Sequence, residues 1–568
     1  MSSRRALHVA TLCLLAAAAV ACGSSASDPS PTPTPTATAS LDPPTAPLTT
    51  ITNQNWGWVA PDPANPRYLQ LGGASGQPYA ISSYGSLIGC RFSPDQARQL
   101  KELGATYAVV WYQWSGCRGD LPDWFAAPWT GPWRLACDPR DASQRDRCPD
   151  HPLWDLSQFD EQYWQTLDAM LTAAENDGDG SGKKLVVRVH LFARQEFGVG
   201  RETNPFRGGN NVNGVRAFDG AANRDPDLRY FVRSTSSCAQ QPCEEPAHSL
   251  FVYQQAYVRK LLDTTHGHGN VVYELMNEPP PSPDDTSEFT FFARYWSWFV
   301  KDHLASHYGV ARLVSQDEQN DAFAIPDIDV GDARWSGGDV SDSDSQFLSD
   351  LSALTAAIRN SYLSNAKPTA LDEFGNAAQD ATRLRLQAWS IVTSGGHFHL
   401  EDPCDPSFRA CPWGDGGALL DAQPWVPVRS IEAFKAASRW RFDRAHPVHS
   451  DDSDAVRWFY WMVQDGPPDT VGSAVGGTDH VGYLAHHDRR TCTSQPLSSD
   501  LPRVPEGATE FVARLWNPAG TDYLKDATGR PFEHHLKWGG GAFDWCQTPL
   551  RDAILGASDV VVHVHAGS

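Results

Sequence analysis

An alternation constrains this chain most: across residues 51 to 450, short apolar runs recur with amphipathic stretches between most of them. Strands that alternate with helices form parallel sheets, because a parallel return needs a crossover and a helix supplies it. The runs are Tyr79 to Ser83, Tyr107 to Trp111, Leu185 to Leu191, Val271 to Met276, Ala311 to Ser315, Ile325 to Val330, Thr369 to Leu371 and Gly396 to Leu400. Eight such strands make a (β/α)8 TIM barrel, the α/β fold expected for residues 51 to 450. Among the helices, Pro94 to Leu103 has the clearest start, with Ser93 and Gln96 as a capping box and Pro94 at the first position. Phe159 to Glu175, Leu250 to Thr265, Glu288 to His307, Gln379 to Val392 and Ile431 to Phe442 follow, whereas Asp317 to Pro326 shows no convincing helix. Pro66 to Ala80 reads as a hairpin with Gly72, Gly73 and Gly76 in its turn, suited to capping the barrel bottom. From residue 451 to 568 the pattern changes to short strands and turns, predicting a smaller C-terminal antiparallel β-sandwich. In its last strand Val560, Val562 and Val564 alternate with Val561, His563 and His565, as in a half-buried strand.

The N-terminus is expected to be an export signal. Arg4 and Arg5 precede an apolar run, Leu7 to Val20, too short to span a bilayer. Its end, Ala19-Val20-Ala21-Cys22-Gly23, resembles the lipobox of bacterial lipoproteins, with Ala19 in place of the usual Leu. The resemblance implies that Cys22 is acylated, that residues 1 to 22 are removed as a signal peptide, and that the protein is extracytoplasmic, membrane-anchored or secreted. Residues 23 to 50 are rich in Pro and Thr and hold few large apolar side chains, so a disordered linker is expected. A lipid is then the only membrane contact.

Composition narrows the partners. Sixty-eight acidic against 46 basic residues give a net charge of -22, which repels phosphate backbones and argues against nucleic acid. Of 12 cysteines, setting aside Cys13 and Cys22 leaves ten, and disulfides are the default in an exported protein. Cys137 with Cys148, Cys238 with Cys243 and Cys404 with Cys411 are close enough to clip loops. Twenty-one Trp supply flat apolar faces with a polar N–H, the surface type that suits sugar rings, although most of them belong to packing. A monomer is expected.

Barrel enzymes carry their chemistry at the C-terminal ends of the strands. Two expected strands end in glutamate: Val271 to Met276 runs into Asn277-Glu278-Pro279, and Thr369 to Leu371 into Asp372-Glu373-Phe374-Gly375. Cleaving a glycosidic bond takes one carboxylic acid for the leaving oxygen and one carboxylate for the oxocarbenium-like carbon. Counting repeats puts Glu278 on strand four and Glu373 on strand seven. At this point the chain resembles the cellulase-like glycoside hydrolases of clan A, whose strands close on the same NEP and EFG motifs. The resemblance implies a retaining mechanism with Glu278 as acid/base, Glu373 as nucleophile and Asn277 bonded to the sugar 2-hydroxyl. It also implies a Glu278 kept protonated by burial and by the charge on Glu373.

A closer resemblance, to a bacterial branch joining such a barrel to a C-terminal β-sandwich, covers most of the chain after residue 50. It is carried by NPRYLQLGGASGQPY, NPFRGGNNVNG at residues 204 to 214 and ARLWNPAGTDYLKDATG. One position departs. Many clan members place an arginine near the end of strand two, where this chain has YAVVWYQW; Arg188 on strand three could take the charge role.

Trp111, His190, His397, His399 and Asn211 are further candidates for lining the sugar site, each weighed against a place in the core or in a turn. No metal or other cofactor is expected, because His397 and His399 have no third ligand at recognisable spacing. Asp177 to Gly180 resembles half a calcium loop without its bidentate Glu, so a solvated turn is expected there. Two further function classes remain open: a catalytically impaired carbohydrate-binding surface lipoprotein, and an adhesive protein working through its sandwich.

Overall fold

A computed structural model describes residues 56–63, 65–71, 87–88, 94–102, 106–110, 131–138, 141, 143–144, 148–149, 151–176, 184–193, 205–206, 209–215, 250–277, 279, 286–316, 325–332, 344–374, 381–400, 426–438, 440, 445–448, 459–464, 479–484, 495–496, 510–539, 542–543, 552–553 and 559–566. The first described elements, β1 (Val59–Pro61) and β2 (Leu69–Leu71), pair as an antiparallel hairpin. Their turn lies at residues 62–68, where Asp62 N–H donates to Tyr68 O at 2.9 Å and Tyr68 N–H to Asn65 O at 3.0 Å. Gly72, Gly73 and Gly76 lie outside the described residues.

Along the chain follow β3 (Leu87–Ile88), α1 (Pro94–Glu102), β4 (Tyr107–Val110), β5 (Trp133–Cys137), β6 (Leu153–Phe159), α2 (Glu161–Glu175) and β7 (Val186–Ala193). After these come α3 (Leu250–Thr265), β8 (Val271–Asn277), α4 (Thr286–His303), β9 (Leu313–Gln316), β10 (Val330–Asp332), α5 (Asp344–Ser364), β11 (Thr369–Phe374), α6 (Ala381–Thr393), β12 (His397–Leu400) and α7 (Val426–Ser438). β3, β4, β7, β8, β9, β10, β11 and β12 form an eight-stranded sheet in that order, every pair parallel. The run Tyr79 to Ser83, expected to supply the first strand, lies outside the described residues, and β3 takes that place. β5 and β6 make a separate antiparallel pair, with Cys137 at the end of β5 in a disulfide to Cys148. The other two cysteine pairs lie outside the described residues.

Local chemistry explains the elements. α2 starts where the Asp160 side chain accepts the N–H of Gln162 at 3.0 Å, and buries Tyr163, Trp164, Leu167, Met170, Leu171 and Ala174 along one stripe. Its C-terminal carbonyls are met by Lys101 of α1, whose Nζ donates to Ala173 O and Asn176 O. α5 was not anticipated, yet Phe347, Leu351, Leu354, Ile358 and Tyr362 keep helical spacing and are all buried.

The hairpin bends the sheet. Val59, Leu69 and Leu71 form one apolar cluster with Tyr107, Val109, Val186, Val272, Leu313 and Val330, residues of five consecutive strands. The same hairpin reaches the eighth: Arg67 O is 3.0 Å from Nε2 of His397, and the Tyr68 and His397 rings are 5.2 Å apart. In a flat sheet the second and eighth strands would stand about 29 Å apart, six steps of about 4.8 Å. A hairpin touching both requires a strongly curved sheet wrapped around it.

This floor is latched to the turn after α3. Trp58 and Val59 N–H donate to Gly269 O at 3.0 and 3.1 Å. Gly57, at φ 77°, lies so close that a Cβ would sit 2.7 Å from the Gly269 Cα. His268 holds the turn, donating to Asp168 Oδ1 at 2.9 Å and Glu175 Oε2 at 3.2 Å when charged. Burial disfavours that charge, but the two carboxylates outweigh it and raise the imidazole pKa above its ordinary value. The stabilisation is therefore complete below about pH 6.5 and is lost as pH rises through the raised folded value. His268→Gln is expected to flatten this alkaline loss, measured as the change in Tm between about pH 6 and about pH 9.

Past α7 come β13 (Ala445–Val448), β14 (Phe459–Gln464), β15 (Asp479–Leu484), β16 (Gln495–Pro496), β17 (Glu510–Trp516), β18 (Glu533–Gly539), β19 (Ala542–Phe543) and β20 (Val560–Ala566). The described strands form one antiparallel order, β13-β14-β15-β20-β17-β18-β19-β16. β20 is not half-buried as its alternation suggests: Val560 through Val564 are all buried. The reason is the packing of α6 and α7 on this sheet. Tyr483, Val561 and Trp516 sit in register on neighbouring strands; Tyr483 stacks near Trp389 of α6, while Trp516 and His563 meet Phe434 of α7. Asp559 accepts a two-pronged bond from Arg385 of α6, Nε to Oδ2 and Nη2 to Oδ1 both at 2.9 Å, and a third bond from Tyr483 Oη at 2.6 Å. Trp516 Nε1–H donates to Ser430 Oγ of α7 at 3.1 Å.

Candidate active site

β8, the fourth strand, is an apolar run buried between neighbours, and its alternation sorts its side chains. Tyr273 points to α3, where its hydroxyl meets Thr265 Oγ1 and burial pushes its pKa up to about 12. The next residue, Glu274, is fully buried with Arg188 of β7 and Ser315 of β9. Arg188 Nη1 lies 3.0 Å from Glu274 Oε2, and Ser315 Oγ donates to the same oxygen at 2.9 Å. The guanidinium also lies 5.9 Å from the centroid of the Tyr107 ring. Burying such a pair costs desolvation that its attraction barely repays, so its value lies in fixing one arrangement of three neighbouring strands. The layer stands between the Val272 floor and the C-terminal strand ends. Glu274 and Ser315 escaped the sequence reading, although a carboxylate inside an apolar run was the signal that could have found Glu274.

At the strand ends, Asn277 closes β8 and pairs in register with Ala193 of β7. Glu278 follows it directly and lies outside the described residues; Pro279 is buried. Glu373 is the fifth residue of β11, the seventh strand of the sheet, its backbone described and its side chain not. β9 and β10 lie between the two glutamate-bearing strands. Trp111, directly after β4, and Cys22 are outside the described residues, as are the side chains of Asn277 and His399.

Three of the secondary candidates occupy the alternative places they were weighed against, the strand core or a loop. His397 opens β12 at the floor, against Arg67 and Tyr68, at the opposite strand end from Asn277. His190 is fully buried in register with Glu274, within the strands rather than on the rim. Asn211 spends its amide on its own loop: Nδ2 donates to Pro205 O at 3.0 Å and Val215 O at 2.9 Å, and Oδ1 accepts Val215 N–H at 2.9 Å. Its neighbours tie the loop to β6, Trp154 N–H donating to Asn210 O at 2.8 Å and Leu156 N–H to Asn213 Oδ1 at 2.6 Å. Asn211→Ala is expected to cost about 2–4 kcal/mol in urea unfolding, because it orphans buried backbone groups. Among the described residues no group of three or more His, Cys, Asp or Glu could hold a metal ion.

No family model matches the chain, and no curated protein matches it. Solved structures similar to it include a glycoside hydrolase family 5 protein from Bacteroides vulgatus, at a TM-score of 0.49 and 10% identity over 90% of this chain and 95% of that one. A second, described as a glycoside hydrolase, has a TM-score of 0.47 and 12% identity over 91% of this chain and 99% of its own. The endo-β-1,4-mannanase from Thermotoga petrophila has a TM-score of 0.39 and 10% identity over 81% and 98%.

Proposed function

We propose that the chain is a retaining glycoside hydrolase acting on a polysaccharide or oligosaccharide, with Glu278 as acid/base, Glu373 as nucleophile and Asn277 bonded to the sugar 2-hydroxyl. One observation carries the reading: a sheet of parallel strands in chain order has Asn277, followed by Glu278, at the end of its fourth strand, and Glu373 near the end of its seventh. Closure into a (β/α)8 barrel is part of the proposal, supported by the hairpin that touches both the second and the eighth strand. Closure would turn the two glutamates toward one mouth. In a retaining enzyme their carboxyl groups stand about 5–5.5 Å apart, so that Glu373 attacks the anomeric carbon while Glu278 protonates the departing oxygen. Glu278 then deprotonates the water that releases the sugar.

The proposal extends to a C-terminal β-sandwich that covers α6 and α7, and to a monomer exported by residues 1 to 22 and tethered through acylated Cys22 and the linker 23 to 50. The test is a screen of polysaccharides and aryl β-glycosides for released reducing ends. Release that Glu373→Gln abolishes supports the enzyme; oligosaccharide binding without release makes the protein a catalytically impaired binder.

A further inference from the structure

We infer that Gln316 is a positioning residue that aims the end of β8, and with it the acid/base Glu278; the inference deepens the glycosidase reading and rests on it. β8 lies between β7 and β9. With β7 its register runs through Phe192↔Met276 to Ala193↔Asn277. With β9 its register includes Tyr273↔Val314 and Glu274↔Ser315. The side chain of Gln316, the last residue of β9 and fully buried, reaches further along β8: its Nε2 donates to Met276 O at 2.9 Å. Ser315, one residue earlier, holds Glu274. Two consecutive side chains of β9 thus grip alternate residues of β8, the second of them one residue before Asn277 and two before Glu278.

A peptide carbonyl held by a side-chain amide keeps its plane, and that plane sets the direction of the following residues. An acid that must meet a leaving oxygen tolerates little error, and a misplacement of about 1 Å can cost on the order of 100-fold in rate. A neutral amide suits the task, because it donates to the carbonyl without adding a charge to the buried layer beside Arg188 and Glu274. The expected consequence is selective. Loss of Gln316 harms the steps in which Glu278 gives or takes a proton and spares the departure of a group that needs none.

The experiment compares phenyl with 2,4-dinitrophenyl β-glucosides and β-mannosides, since a phenyl group needs protonation to leave and a dinitrophenyl group does not. Gln316→Met, similar in length without a donor, is expected to lower kcat/KM, which reports the step that expels the leaving group, by roughly 10–100-fold on the phenyl substrates and by less than about threefold on the dinitrophenyl substrates. Gln316→Asn keeps the amide but falls about 1.5 Å short of the carbonyl; it is expected to show the same split, and carries the test should the methionine variant not fold. Equal losses on both leaving groups in a folded variant, or no loss on either, would overturn the inference. A split in Glu278→Gln that is missing in both Gln316 variants overturns the inference alone. A wild type that releases neither leaving group overturns the glycosidase reading and the inference together.

Discussion

Glu373→Gln is expected to lower kcat by on the order of 10⁴-fold or more while leaving the Kd for an oligosaccharide within a few-fold. The amide has nearly the shape of the carboxylate but cannot form the glycosyl ester, so the covalent route closes while the binding surface remains. Glu278→Gln is expected to behave differently, losing about 10²–10⁴-fold in kcat/KM on substrates with poor leaving groups and much less on activated ones, as for loss of general acid catalysis. Steady-state kinetics together with isothermal titration separates the two roles. Retained turnover in Glu373→Gln removes it from the nucleophile's place.

The second large effect falls on stability, at the junction of the two sheets. Asp559 accepts hydrogen bonds from the Arg385 guanidinium and from the Tyr483 hydroxyl in a buried setting. Asp559→Ala leaves the cation buried without its partner and is expected to cost about 3–5 kcal/mol, read as a fall in Tm of roughly 5–10 °C. Replacing both members, Arg385→Met with Asp559→Leu, is expected to recover most of that loss, because an apolar pair has no desolvation cost to offset. On the same grounds, removing residues 451 to 568 exposes Trp389 and Phe434 and strips Arg385 of Asp559. The shortened chain is expected not to unfold cooperatively in urea. A soluble, cooperatively folding product would show that the sheet is a detachable module.

What was legible in the sequence follows what burial writes into it. Strands buried on both faces appear as unbroken apolar runs, and Val271 to Met276 and Leu185 to Leu191 foretold β8 and β7 to within one or two residues. Helices with a broad apolar stripe were equally plain, and Leu250 to Thr265 matches α3 at both ends. α5 was missed because Ser, Thr, Ala and Asn fill nearly half of its length, diluting a periodic set of large residues that was nevertheless present. The β20 pattern misled because alternation announces one solvent face only when nothing covers it, and here α7 does. The same limit governs the site. Glutamates at strand ends stand out against broken apolar runs, whereas the tasks of His397 and Asn211 depend on partners 330 and 4 residues away in the chain, which spacing does not reveal. The Arg188–Glu274–Ser315 layer is of that kind, assembled from three strands.

The most direct test is to trap the covalent intermediate. The protein is incubated with 2-deoxy-2-fluoro-β-glucosyl and β-mannosyl fluorides, which glycosylate a retaining nucleophile with loss of fluoride and release slowly, and the labelled peptide is sequenced by mass spectrometry. The expected result is one adduct, on Glu373 within the Thr369–Phe374 strand. A label on another residue, or products of inverted anomeric configuration without any label, would contradict the account.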